Sequence, residues 1–163
     1  KMEIPEPTRP SLTGYVQPGK LLPWSWVNER MTHSRNYWIT TRADTFPSSR
    51  PVWGIWHDAQ LLFSTGSQIA ENIRRDARIQ VNLESADELV IIEGVVVGID
   101  ASQLPFWLEN YNQKYNWDMP ESIDGVYRVN PRRVLAWICD PSGMDGGVLF
   151  SNTATQWVFQ PST

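Results

Sequence analysis

From Tyr37 onward the sequence advances in short β-type runs, each closed by turn chemistry. Tyr37 to Arg42 alternates, with Trp38, Thr40 and Arg42 opposite Tyr37, Ile39 and Thr41. Asp44, Pro47, Ser48 and Ser49 supply a turn, Arg50 to His57 a second run, Asp58-Ala59 a tight connection and Gln60 to Thr65 a third run. β-branched and aromatic residues favour a pleated, half-buried surface, and two-residue connections join antiparallel neighbours. The expectation is an antiparallel meander. Arg78 to Leu83 and Leu89 to Gly98 continue it across Glu84-Ser85-Ala86-Asp87, with Gly94 marking a bulge or a close approach to a ligand. Val134 to Cys139 and Thr155 to Phe159 complete it, separated by a glycine-rich loop from Asp140 to Gly147. Runs this numerous with connections this short fold as a barrel or a sandwich, so the chain is mainly β.

Helices are few. Ser25 is placed to cap a short one in which Val27 and Met31 share a face, and Ser67 one running to about Asp76 with Ile69 and Ile73 a turn apart. The longest follows Ser102, its apolar face made by Leu104, Trp107, Leu108, Tyr111 and Tyr115 and continued by Trp117. Such a face must pack on the barrel. Residues 1–23 carry Pro5, Pro7, Pro10, Pro18 and Pro23 and form an extended arm that frays or lies along a partner; residues 24–163 form a single domain.

Composition narrows the function. With 163 residues, 41% hydrophobic and 20% charged, the chain is an ordinary globular domain that needs no staples. A net charge of −4 gives no basic surface to neutralise nucleic acid phosphates or to hold an anionic membrane, so neither partner is expected. One cysteine, Cys139, excludes an internal disulfide, and its apolar flank Ala136-Trp137-Ile138 reads as that of a buried thiol. No apolar run approaches the length of a membrane helix and the first residues do not form a signal peptide, so a cytoplasmic location is expected. His33 and His57 lack ligand spacing with each other or with Cys139, and no metal site is expected. No serine sits on a sharp turn of the kind a Ser-His-Asp triad needs, and Glu84, Asp87 and Glu88 read as solvated turn residues.

Ser64-Thr65-Gly66-Ser67 carries more information. A strand that ends in hydroxyl residues and feeds a helix start presents free N–H groups and the positive end of the helix dipole, which favour a phosphate. A plain strand-to-helix turn would look the same. Gly54 between Trp53 and Trp56 is unusual in a strand, where glycine marks close approach of backbone or ligand.

Taken with Tyr37-Trp38-Ile39-Thr40-Thr41, Arg50-Pro51-Val52-Trp53-Gly54-Ile55-Trp56, Leu62-Phe63-Ser64-Thr65-Gly66-Ser67, Asn72-Ile73, Val90-Ile91-Ile92-Glu93-Gly94, Pro131 to Trp137 and Thr153 to Trp157, the order of segments resembles the pyridoxamine 5′-phosphate oxidase-related split barrels, including flavin- and deazaflavin-dependent reductases. That resemblance implies a six-stranded Greek-key split barrel with a few peripheral helices, paired as a homodimer with flavin at the interface. It implies that Arg50, Pro51, Val52 and Trp53 lie along the isoalloxazine and phosphate, and that Ser64 and Thr65, with Ser67 beside them, take the ribityl-phosphate end. Gln68 and Ile69 stand where the family has an Arg-Lys clamp, and Trp137 and Gln156 match a tryptophan and an arginine that approach the cofactor from the partner. Each lost charge-assisted bond to a phosphate removes about 1.5–3 kcal/mol. Arg74 and Arg75 are the nearest compensating cations in sequence. No segment matches the substrate-phosphate motif of pyridoxamine 5′-phosphate oxidase itself.

The cofactor implied is FMN, a deazaflavin or, given the altered clamp, none. The corresponding functions are hydride transfer to a small-molecule substrate, or a split barrel that has lost flavin and serves as a binding or interaction protein. Catalytic residues are not legible.

Overall fold

The structure, a computed structural model, describes residues 1–12 and 19–161, with the side chain of Ser67 outside the description. Its elements run α1 (Trp24–His33), β1 (Tyr37–Thr41), β2 (Ser48–Val52), β3 (Gly54–His57), β4 (Gln60–Ser64), α2 (Ser67–Arg75), β5 (Arg78–Asn82), β6 (Glu88–Gly98), a 3₁₀ turn (Ala101–Gln103), α3 (Leu104–Tyr115), β7 (Val126–Ile138), α4 (Val148–Thr153) and β8 (Thr155–Val158).

All strands pair antiparallel in one sheet ordered β2-β1-β5-β6-β7-β4-β3, with β8 added to β7. β2 and β3 stand at opposite ends of that path, yet Trp53 alone separates them in sequence. The sheet therefore has to curl until its two edges meet, which makes it a barrel. The run expected from Arg50 to His57 breaks here for the same reason. Val52 pairs with Tyr37 on one side of the break and Gly54 with Phe63 on the other. A side chain at Gly54 would meet Leu61 Cδ1 at 2.8 Å and the Leu62 carbonyl at 2.9 Å, so glycine is needed at this crossing. Splitting that run raises the strand count to eight, against the six that the resemblance implies.

The Asp58-Ala59 turn has both residues at positive φ, 47° and 60°, the conformation that matches strand twist in a two-residue hairpin. Gly94 sits at a bulge: β6 and β7 shift register between Glu93 and Gly94, which leaves Arg132 as the extra residue of β7. The close approach expected at Gly94 is to the neighbouring strand, since an added Cβ would lie 2.6 Å from Val129 Cγ1 and 2.8 Å from the Asn130 carbonyl. Gly94→Ala is expected to destabilise the protein by about 1–3 kcal/mol, read from urea unfolding, because backbone has to yield. The bulge also explains why β7 begins at Val126 and not at Val134. Pro131 reads as a strand breaker, but at a disrupted ladder position its missing N–H costs little.

Tyr37, Ile39, Leu61, Phe63, Val81, Val90, Ile92, Val134 and Trp157 fill the barrel, closed by Val27 and Met31 of α1 and by Ile69 and Ile73 of α2. A second cluster lies under α3, where Trp107, Leu108, Tyr111 and Tyr115 cover Ile55, Leu62 and Val126. Trp117 is not part of it and is 56% exposed, because the chain leaves α3 through Asn116 in the left-handed region. Caps also differ from expectation. Pro23, Gly66 and the Asp100/Gln103 pair start the helical segments, so Ser25 and Ser102 fall inside them and Ser67 is the first residue of α2. α4 follows the glycine-rich loop, with Gly147 as its N-cap, and was not foreseen.

The described part of the arm lies on the chain's own barrel. Thr8 bridges Gln156 of β8 through N–H to carbonyl bonds of 2.9 and 2.8 Å, and the Met2 N–H donates to both carboxylate oxygens of Asp58. Arg9 donates to the carbonyls of Ser151 and Ala154 at the end of α4. Pro18 lies outside the described residues.

Candidate functional site

The α2 start is open. Gly66 caps it in extended backbone, no side-chain cap hydrogen bond is made, and no atom outside residues 65–67 lies within 4 Å of where a Gly66 Cβ would stand. The first turn holds no acid, so the positive end of the helix dipole is uncompensated by the chain. Ser64 and Thr65 reach this point from β4, and the Thr65 N–H is held by the Gly125 carbonyl at 3.4 Å. The Thr65 hydroxyl donates only to the Gly66 carbonyl, at a long 3.4 Å.

Gln68 and Ile69 part company. Gln68 is exposed and donates to Asn72 Oδ1 at 2.9 Å; the buried Asn72 amide donates in turn to Thr41 Oγ1 at 3.0 Å. This chain ties α2 to the end of β1, where Thr41 pairs with Ser48 of β2. Arg50 lies two residues farther along β2, exposed, its guanidinium donating only to the adjacent Ser49 carbonyl. Ile69, in contrast, is 4% exposed and belongs to the barrel core, as its helical pairing with Ile73 requires. A lysine there would be buried. Arg74 and Arg75 do not replace the clamp: Glu71 holds both, Asp44 holds Arg75 as well, and they occupy the far end of α2.

Pro51 is exposed and Val52 buried, while Trp53 stacks on Tyr115 with centroids 4.5 Å apart and planes 3° apart. Trp137 on β7 packs edge-on against Phe150 at 5.0 Å, and Gln156 on β8 faces Thr8 and Arg9 of the arm. Along the sheet, β7 is four strands and β8 five strands from β2. Neither strand pairs with β2 or with β1. Within one copy Ser64, Thr65, Gln68 and the β1–β2 end come together, while Trp137 contacts Phe150 and Gln156 contacts the arm.

Beside this end, the outer face of β1, β5 and β6 carries a mainly apolar depression of about 670 Å³, lined among others by Thr40, Pro47, Gln80, Gly94, Val95 and Arg132. Arg42 and Arg78 at its rim share Asp76, whose carboxyl the Arg78 hydrogen bonds hold well below the usual range. Of the three arginines that line the depression, Arg132 alone has no ion pair among the described residues; as the extra residue of the bulge it was not legible as a site residue.

A second feature was also missed. Lys114 of α3 donates to the Tyr37 hydroxyl and to the Gly54 carbonyl, each at 2.9 Å. The signal available in the sequence was its place on the apolar face, three residues after Tyr111 and seven after Trp107. Cys139 is half-buried, and burial followed by the Asp87 charge pushes its thiol up, which makes it a poor nucleophile. Among the described residues no cluster of His, Cys, Asp and Glu could hold a metal, and no helix is long and apolar enough to cross a membrane.

No protein-family model matches the chain, and no curated protein does. Solved structures do. A candidate pyridoxamine 5′-phosphate oxidase from Listeria innocua superposes with a TM-score of 0.59 at 18% identity, over 69% of this chain and 95% of that one. An FAD-binding protein from Mesorhizobium loti gives 0.58 at 15% identity, over 85% and 96%. An F420 reductase gives 0.51 at 19% identity, over 65% and 94%. At such identities the likeness is one of fold. The chain has the split-barrel fold of the pyridoxamine 5′-phosphate oxidase-like proteins, mainly β with a few peripheral helices.

Proposed function

We propose that the protein is a flavin-type oxidoreductase that binds FMN or a deazaflavin without a covalent bond and passes hydride to a small molecule. The observation that carries this reading is the uncapped α2 start beside Ser64, Thr65 and Gln68, set next to an apolar depression on a fold shared with an FAD-binding protein and an F420 reductase. The residues fit such a group with neutral donors in place of a cationic clamp. First-turn N–H groups of α2, the two hydroxyls and the Gln68 amide would take the phosphate end, and Arg132 would supply the positive charge. The depression would shield a flat ring from water on one side. Bound flavin supplies the two-electron chemistry; the chain's part is to orient it. As the family resemblance implies, Trp137 and Gln156 would reach the cofactor from a second copy, and the active form would be a homodimer. A single cysteine and a net charge of −4 support the reading of a cytoplasmic protein without nucleic acid or membrane partners.

An absorbance spectrum of the purified protein, followed by titration with FMN and then a deazaflavin, tests this. A flavin band or micromolar binding is the expected result, with a dimer by light scattering. If both titrations fail, the second reading stands: a barrel that has lost flavin and binds another partner. It rests on Gln68 and the inward Ile69, which leave the α2 start without a cation.

A further inference from the structure

α1, β3 and α3 enclose a cleft of about 350 Å³ lined by Thr32, Ile55, Trp56, Asn110, Gln113 and Lys114. Its one charged group is Lys114. Two of the three ammonium protons are used, on the Tyr37 hydroxyl and the Gly54 carbonyl, which leaves the third. No carboxylate pairs with Lys114 among the described residues, although the chain has 18 acids against 14 Lys and Arg.

The other groups around the ammonium do not neutralise it either. Arg35, whose guanidinium lies 5.4 Å from the Tyr115 ring centre against 5.2 Å for the Lys114 ammonium, adds positive charge. Tyr115 accepts from the Gly54 N–H, donates to the Arg35 carbonyl and is pushed up to about 12 by burial, so it stays neutral. Tyr37 donates to the Met31 carbonyl and is likewise raised by burial. The result is a half-buried ammonium, faced by neutral groups and a second cation, on a side chain that lines the cleft together with Ile55, Trp56 and three neutral polar residues.

We propose that this cleft binds a small organic carboxylate, its acid group on Lys114 and its apolar body against Ile55 and Trp56. One ammonium with the neutral amides of Asn110 and Gln113 suits a monoanion; a phosphate dianion would call for a second lining cation. Burial and the Arg35 charge push Lys114 down to about 8, so the ammonium is mostly charged at pH 7 and is lost as pH rises above 8 unless an anion pairs with it. The site is separate from the α2 start and does not depend on flavin binding.

Benzoate, with benzamide as its neutral isostere, tests this by calorimetric titration of the full chain without added flavin. Saturable benzoate binding at pH 7 is expected, weakening as pH rises from 8 to 10, with no binding of benzamide. Lys114→Met is expected to lower benzoate affinity at least about tenfold, the loss of one charge-assisted bond. Absence of benzoate binding to the wild type, equal binding of benzamide, or unchanged affinity in the variant overturns the proposal. Should Lys114→Met fail to fold, the wild-type pH profile decides: affinity that stays flat from pH 7 to 10 overturns it.

Discussion

Replacing Trp157 with alanine is expected to lower the unfolding free energy by about 3–5 kcal/mol, the usual cost of emptying a fully buried tryptophan site. Trp157 is 1% exposed, inside the barrel, and meets Trp24 of α1 edge-on at 5.3 Å. It is also the main anchor of β8, which pairs only with β7 and carries the Thr8 bridge of the arm. Since domains of this kind hold about 5–15 kcal/mol in total, the variant loses about a fifth or more of its stability. Urea unfolding should show a large drop in midpoint at an unchanged slope. Trp117→Ala, at a tryptophan 56% exposed, is the matched control and should stay within about 1 kcal/mol. Equal losses in the two variants would mean that the barrel interior is wrongly assigned.

Ile69→Lys should be nearly as damaging, by about 3 kcal/mol or more, because it puts an ammonium into the barrel core without a partner. From the resemblance alone, Gln68→Arg with Ile69→Lys would restore the phosphate clamp and tighten FMN. The inward position of Ile69 divides that pair. Gln68→Arg keeps an exposed position at the open α2 start, so stability should move by no more than about 0.5 kcal/mol. FMN affinity should rise about tenfold or more, the worth of one charge-assisted hydrogen bond. A thermal melt and an FMN titration on each single variant check both halves. A stable Ile69→Lys protein with tighter FMN binding would show that the side chain at position 69 reaches the outside.

Much of the fold could be read from neighbouring residues. The alternation of Tyr37, Ile39 and Thr41 against Trp38 and Thr40 reappears as buried against half-buried positions of β1. The Asp58-Ala59 connection, the Ile69/Ile73 face of α2 and the bulge at Gly94 were legible for the same reason, since each depends on residues a few positions apart. The candidate site was legible in part: Ser64, Thr65 and Gln68 do converge on a helix start, because strand, turn and helix are consecutive.

What lay beyond local pattern depended on partners distant in sequence. The break at Trp53 exists because Val52 pairs with Tyr37 while Gly54 pairs with Phe63. β7 absorbs Pro131 because the bulge opposite Gly94 needs no ladder bond there. Arg132 became a lining cation through that same bulge, and Lys114 a half-buried ammonium through Tyr37 and Gly54, more than 50 residues away. Periodicity and turn chemistry act between neighbours and so were determined by the sequence itself. Strand partners, and the dielectric surroundings of a charge, are set by residues that only the closed barrel brings together, and those the tertiary structure decided.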